Sequence, residues 1–89
     1  MSITQFSVTT GSPQVIDVES RHQPNNPNGV MGVQNDGAVE LTVNGKLIGN
    51  SNWALLGTVP ANSINGIAFI PGLVQIQLDA SEAEGTVVL

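Results

Sequence analysis

At 89 residues the chain is sized for one domain, and with 40% hydrophobic residues it can fold, but its own core is modest. Charged residues make up 10% of the sequence, against about 25% in an ordinary globular domain, so Ser, Thr, Asn and Gln or another protein must cover the surface. A net charge of −5, with Arg21 and Lys46 as the only Lys or Arg residues, argues against backbone binding to nucleic acid and against a polybasic membrane contact.

The absence of cysteine removes disulfides, thiolate catalysis and sulfur-ligated zinc. Residues 1–11 carry no basic start and no apolar h-region, so no signal peptide is expected. No apolar run approaches the ~20 residues of a membrane-spanning helix.

In chain order, Ile3–Thr9 alternates polar and apolar residues, with Phe6 and Val8 on one face, and ends at Gly11-Ser12-Pro13. Gln14–Glu19 follows, with Ile16 and Val18 opposed to Val15 and Asp17. Ser20–Gly29 is rich in Pro and Asn and reads as the longest loop. Val30–Gln34 is a short strand and Asn35-Asp36-Gly37 a turn. Ala38–Val43 places Val39, Leu41 and Val43 on one face, a strict period of two. Asn44-Gly45 then predicts a type I′ hairpin leading into Lys46–Ile48. Gly49–Asn52 is a polar turn, and Trp53–Val59 an apolar strand closed by Pro60. Ser63–Ile70 is interrupted by Asn65-Gly66, which predicts a hairpin or a bulge. After the Pro71-Gly72 turn, Leu73–Asp79 sets Leu73, Gln75 and Gln77 against Val74, Ile76 and Leu78. Ala80–Gly85 reads as a loop and Thr86–Leu89 as the last strand.

Eight or nine short strands spaced about every eight to twelve residues predict an all-β, single antiparallel β-sandwich, jelly-roll-like or Ig-like, with no significant helix. The texture leaves strand order open. One domain spans residues 1–89.

Chemistry-bearing residues are few. His22 is the single histidine. Serines and Asp17 make a Ser–His–Asp set countable, but no Gly-x-Ser-x-Gly elbow supports it, and a solvated loop histidine is the better reading. Asp17 and Glu19 share one face of a strand. They have the spacing of a cation or acid–base pair, yet the wet side of an edge strand explains them as well. Asn35-Asp36-Gly37 is a fragment of a calcium loop without its further ligands. No phosphate-cradling glycine motif opens a helix. These residues predict no enzyme, no metal site and no cofactor. Trp53 is followed by apolar Ala54, Leu55 and Leu56, which favours the core; exposed at a loop edge, it would stack on a sugar or anchor a partner.

Three segments carry a resemblance: Asn52-Trp53-Ala54-Leu55-Leu56-Gly57-Thr58-Val59, Pro71-Gly72-Leu73-Val74-Gln75-Ile76-Gln77-Leu78 and Glu84-Gly85-Thr86-Val87-Val88-Leu89. From about Val39 onward the chain resembles small β-sandwich virion proteins of tailed bacteriophages, of the head decoration, cement or fibre-base type. It departs from them in having Gly49-Asn50-Ser51-Asn52 where an Asp-Gly turn is usual before the tryptophan. It departs again in having Leu73, Val74 and Gln75 where an aromatic and an arginine are common.

The resemblance implies a non-enzymatic structural protein, made in the host cytoplasm and carried on the virion, on the outer capsid surface. Its implied partners are the major capsid protein and further copies of itself, a trimer matching the three-fold sites of capsids; nucleic acid and membrane are not among them. Residues 1–10, with Ile3, Phe6 and Val8, and the loop residues Arg21 and His22 are the candidate contacts, together with Trp53. The alternative expectation is a carbohydrate-binding or adhesion module, tail- or fibre-associated, that uses Trp53.

Overall fold

The computed structural model describes residues 3–18 and 29–89. Their eight strands are β1 (Ile3–Thr9), β2 (Gln14–Asp17), β3 (Val30–Asn35), β4 (Leu41–Leu47), β5 (Ala54–Val59), β6 (Ser63–Ala68), β7 (Leu73–Asp79) and β8 (Glu82–Val88). They form two four-stranded antiparallel sheets, ordered β1-β8-β3-β6 and β2-β7-β4-β5. Among the described strands, successive ones lie in different sheets except β4 and β5, which lie side by side. That order settles the open choice: the sandwich is a jelly roll, two interleaved Greek keys, rather than an immunoglobulin-type fold.

Alternation drives the assembly. Phe6, Val8, Met31, Val33, Ile67, Ala83 and Val87 point inward from one sheet. Ile16, Leu41, Val43, Val59, Leu73, Ile76 and Leu78 point inward from the other, and all belong to one buried cluster. Each fully buried aliphatic side chain contributes about 1.5–3 kcal/mol relative to exposure. At one open side the Asn65 side chain donates to the Thr58 carbonyl at 3.0 Å, tying edge strand β6 to edge strand β5.

Several sequence expectations are corrected. Asn44-Gly45 makes no hairpin, because β4 runs straight through both residues. It is an inner strand, paired with β5 and β7, and the inward set Leu41, Val43, Gly45 continues its alternation. Glycine is needed at 45 because a Cβ there would lie 2.7 Å from Leu56 Cδ1 and 2.8 Å from Leu73 Cδ1. The reversal falls four residues beyond Gly45, around Gly49 at φ 82°. There the Asn50 amide donates to the Leu47 carbonyl, and the Asn52 amide donates to Asn50 Oδ1 at 2.8 Å.

Asn65-Gly66 makes neither hairpin nor bulge, since β6 pairs with β3 in unbroken register and Gly66 lies opposite Gly32. Leu73 does not share the outward side of Gln75 and Gln77. The register between β4 and β7 shifts so that Gln75 opposes Lys46 and Leu73 opposes Leu47, and the extra residue Val74 turns Leu73 into the core. Ala80–Gly85 is mostly strand: β8 begins at Glu82, where the small inward residues Ala83 and Gly85 let it pair with all of β1. Val39 lies outside the strand assigned to it, in a turn that ends where β4 starts at Leu41.

β2 ends at Asp17, before Glu19, and the buried Val18 donates its amide to the Val74 carbonyl. Of the 20–29 loop only Gly29 lies among the described residues. Its φ is 66°, and its carbonyl accepts from the Phe69 amide at 2.7 Å.

Candidate functional site: two unlike sheet faces

Because inward positions are apolar, the chemistry sits on the outward positions of the two sheets. On the β2-β7-β4-β5 sheet these positions form rows across the strands. One row runs Asp17, Gln75, Lys46, with Trp53 beside it just before β5. The next runs Val15, Gln77, Asn44, Leu55, and a third Asp79, Thr42, Thr58. The Asn44 side-chain amide donates to Gln77 Oε1 at 3.1 Å. The Lys46 ammonium lies 4.5 Å from the Trp53 ring centroid, a cation–π contact. Gln75, Gln77, Asn44, Thr42 and Lys46 are half-buried because they lie side by side on inner strands.

Trp53 is half-buried at the start of β5 and outside the core cluster, so the expected burial from Ala54–Leu56 is not what forms. The reason is local. A register shift beside Val43 and Asn44 turns Leu56 toward the core, with Gly45 making room for it, while Leu55 is left 66% exposed.

The outward face of the β1-β8-β3-β6 sheet is divided in two. At one end a row runs Ile3, Val88, Gly32, Gly66, flanked by the pair Val30 and Ala68 and by Ile64. Ile3 is 62% exposed and Ile64 67%. Gly32 has open space above it, whereas a Cβ on Gly66 would meet Val30 Cγ1 at 2.7 Å, so Val30 leans over the glycine. The result is a low, apolar surface. Toward the other end the side chains are Ser7, Thr9, Glu82 and Glu84, with Asp36 near them in a shallow cleft. The Asp36 carboxylate accepts from the Gln34 side chain at 2.8 Å.

Phe6 and Val8 are core residues, 4% and 2% exposed, so Ile3 is the one of the three β1 contact candidates that presents its side chain outward. Arg21, His22 and Glu19 lie outside the described residues. Asp17 is placed on the outer face of β2, opposite Gln75.

Asn35 belongs to no ion-binding turn. It is fully buried, the only buried polar or charged residue among the described residues. Its amide nitrogen reaches the carbonyls of Val39 at 2.8 Å, Val59 at 3.1 Å and Pro60 at 3.2 Å, and its Oδ1 accepts from the Gly37 amide at 2.9 Å. This clamp holds the β3–β4 turn against the end of β5. Among the described residues no group of three His, Cys, Asp or Glu side chains is placed to hold a metal ion.

Sequence reading singled out Trp53 but missed the rows of Gln75, Gln77 and Asn44 beside it, and the glycine pair Gly32–Gly66. The alternation of Leu73–Asp79 signals the glutamines; which strands lie next to them is not a local property. No protein-family model, curated protein or solved structure matches this chain.

Proposed function

We propose that this chain is a non-enzymatic virion structural protein, a capsid decoration or cement protein that binds the outer capsid surface and stabilises the expanded head. The observation that carries this reading is the two-sidedness of the sandwich. One sheet presents a low apolar end, Ile3, Val30, Gly32, Ile64 and Gly66, suited to lying flat on another protein. The opposite sheet presents amides, hydroxyls and a few charges across its middle, suited to facing water, with exposed Val15 and Leu55 at its two edges. Jelly rolls serve in viral capsid domains, and also in lectins and cupins, so the fold agrees with the reading by analogy alone. The partners in this reading are the major capsid protein and other copies of the chain. A trimer on three-fold positions would bury further apolar surface from a small domain.

The test is co-sedimentation of the purified protein with expanded heads from its own phage source. Saturable binding at a stoichiometry matching a capsid symmetry position is expected. The double variant Ile3→Lys, Ile64→Lys should stay folded by circular dichroism and bind at least about tenfold more weakly. A folded wild-type protein that does not pellet with heads refutes the reading. Undiminished binding by the double variant refutes the assignment of the docking face.

A further inference from the structure

The geometry points to the outer face of the β2-β7-β4-β5 sheet as a shallow binding site for a neutral oligosaccharide, bounded by Trp53 at one end and Asp17 at the other. Sugar binding here does not depend on capsid attachment, because the two surfaces lie on opposite sides of the sandwich.

The chemistry of the face selects the ligand class. Gln75, Gln77 and Asn44 each carry a carbonyl acceptor and an NH₂ donor, and Thr42 and Thr58 each carry a hydroxyl that does both. Such groups match an uncharged ligand rich in hydroxyls, each both donor and acceptor. The charges exclude the alternatives. Among the described residues Asp17 and Asp79 outnumber Lys46 on this face, which disfavours a phosphate or sulfate chain. The outward apolar side chains Val15 and Leu55 lie at opposite edges, separated by Gln77 and Asn44, and the exposed Leu47 and Ile48 lie at and just beyond the end of β4, so no continuous apolar surface crosses the rows.

Reach fits as well. Three strand spacings of about 4.8 Å give a path of about 14 Å from β2 to β5, the length of a few sugar units. Gln75, Gln77, Thr42 and Asn44 on this path stand on the inner strands β7 and β4 and are half-buried, so little of their rotamer freedom remains to be lost on binding. Asn44 and Gln77 already hold one another at 3.1 Å, which fixes which of their donors and acceptors face outward.

Trp53 supplies the stacking surface. Its ring is held beside the site by the Lys46 ammonium, the only cation among the described residues. The contact is only half-buried and the ammonium sits on a flexible stem, so a pyranose ring can displace it from the indole face. The apolar C–H face of the sugar then covers the ring while its hydroxyls meet the amide rows.

The experiment titrates the intact ¹⁵N-labelled protein with soluble oligosaccharides of glucose, xylose, mannose and N-acetylglucosamine, and separately with heparin. One neutral series should shift the side-chain NH₂ signals of Gln75, Gln77 and Asn44 and the Trp53 indole N–H saturably, with a Kd of about 1 mM or tighter. Trp53→Ala should weaken that binding at least about tenfold. Gln75→Ala with Gln77→Ala, outward positions with no core contact to lose, should weaken it similarly and serves as the independent variant should Trp53→Ala unfold. No saturable shift with any neutral series overturns the proposal. So does binding that both variants leave unchanged, and so does a response to heparin stronger than to every neutral sugar.

Discussion

Removing the Asn35 side chain tests the buried clamp, and its cost follows from the bonds it makes. Its two amide hydrogens serve three carbonyls, and the bond to Val59 O is wholly buried. Asn35→Ala takes a buried donor away from that carbonyl, at about 1–3 kcal/mol. It also removes the partly buried bonds to Val39, Pro60 and Gly37 N–H, each worth about 0.5–1.5 kcal/mol. Counted separately these sum to about 2.5–7.5 kcal/mol. Two hydrogens shared among three carbonyls do not make three full bonds, so the loss falls in the lower half, about 3–5 kcal/mol, taken from a total stability of roughly 4–13 kcal/mol for 89 residues. Urea denaturation followed by far-UV circular dichroism should show that loss, and Tm should fall by more than about 12 °C.

Asn35→Asp separates bonding from volume, since it keeps the shape and replaces donors with acceptors facing three carbonyls. Burial and those carbonyls raise the carboxyl's folded pKa above its unfolded value of about 3.9. A raised folded pKa means that the proton is held more tightly in the folded state. The variant is therefore closest to wild type below about pH 4 and loses ground as pH rises, by at most about 1.4 kcal/mol per unit. Asparagine does not titrate, so the difference between the two proteins isolates the effect. A constant offset between Asn35→Asp and wild type from pH 4 to 8, or an Asn35→Ala loss under about 1 kcal/mol, would refute the clamp.

Other outcomes follow from the same packing. A Cβ on Gly85 would run into the Gln34 carbonyl and come within 2.9 Å of Phe6 Cζ, so Gly85→Ala should cost about 3 kcal/mol or more in chemical denaturation. Gly45→Ala meets flexible leucine ends and should cost less, about 1–2 kcal/mol; the reverse ranking would contradict the packing. Deleting residues 1–10 removes β1 with Phe6 and Val8, so the product should lack a cooperative unfolding transition. A cooperatively folded deletion product would instead make β1 a dispensable contact strand.

Fold class was legible because alternation is local: Ile3–Thr9 and Ile76–Leu78 carry their inward faces in their own spelling. Misreadings arose where glycine has two meanings. Gly45 and Gly66 follow asparagine and look like turn residues. Each instead stands in a strand where a neighbouring side chain, Leu56 or Val30, takes the space of the missing Cβ. That neighbour comes from another strand, so short-range chemistry cannot reveal it. The start of β8 was hidden for a related reason, since Glu82–Gly85 has weak strand preference of its own and is held extended by β1 on one side and, at Gly85, by β3 on the other. Trp53 was visible as a residue of interest, but its surroundings come from Lys46 on β4 and the glutamines on β7, placed beside it by topology alone.

The pairing of Ile3 with Val88 gives the jelly roll a near-closed outline, for its first and last strands run antiparallel as neighbours in one sheet. A short peptide bridge could join the two ends without crossing either face. New ends could then open in the exposed 48–52 turn, between β4 and β5, the only two sequential strands among the described residues that share a sheet. A permuted chain of that kind would keep all eight strands and their neighbours while starting synthesis at β5 instead of β1.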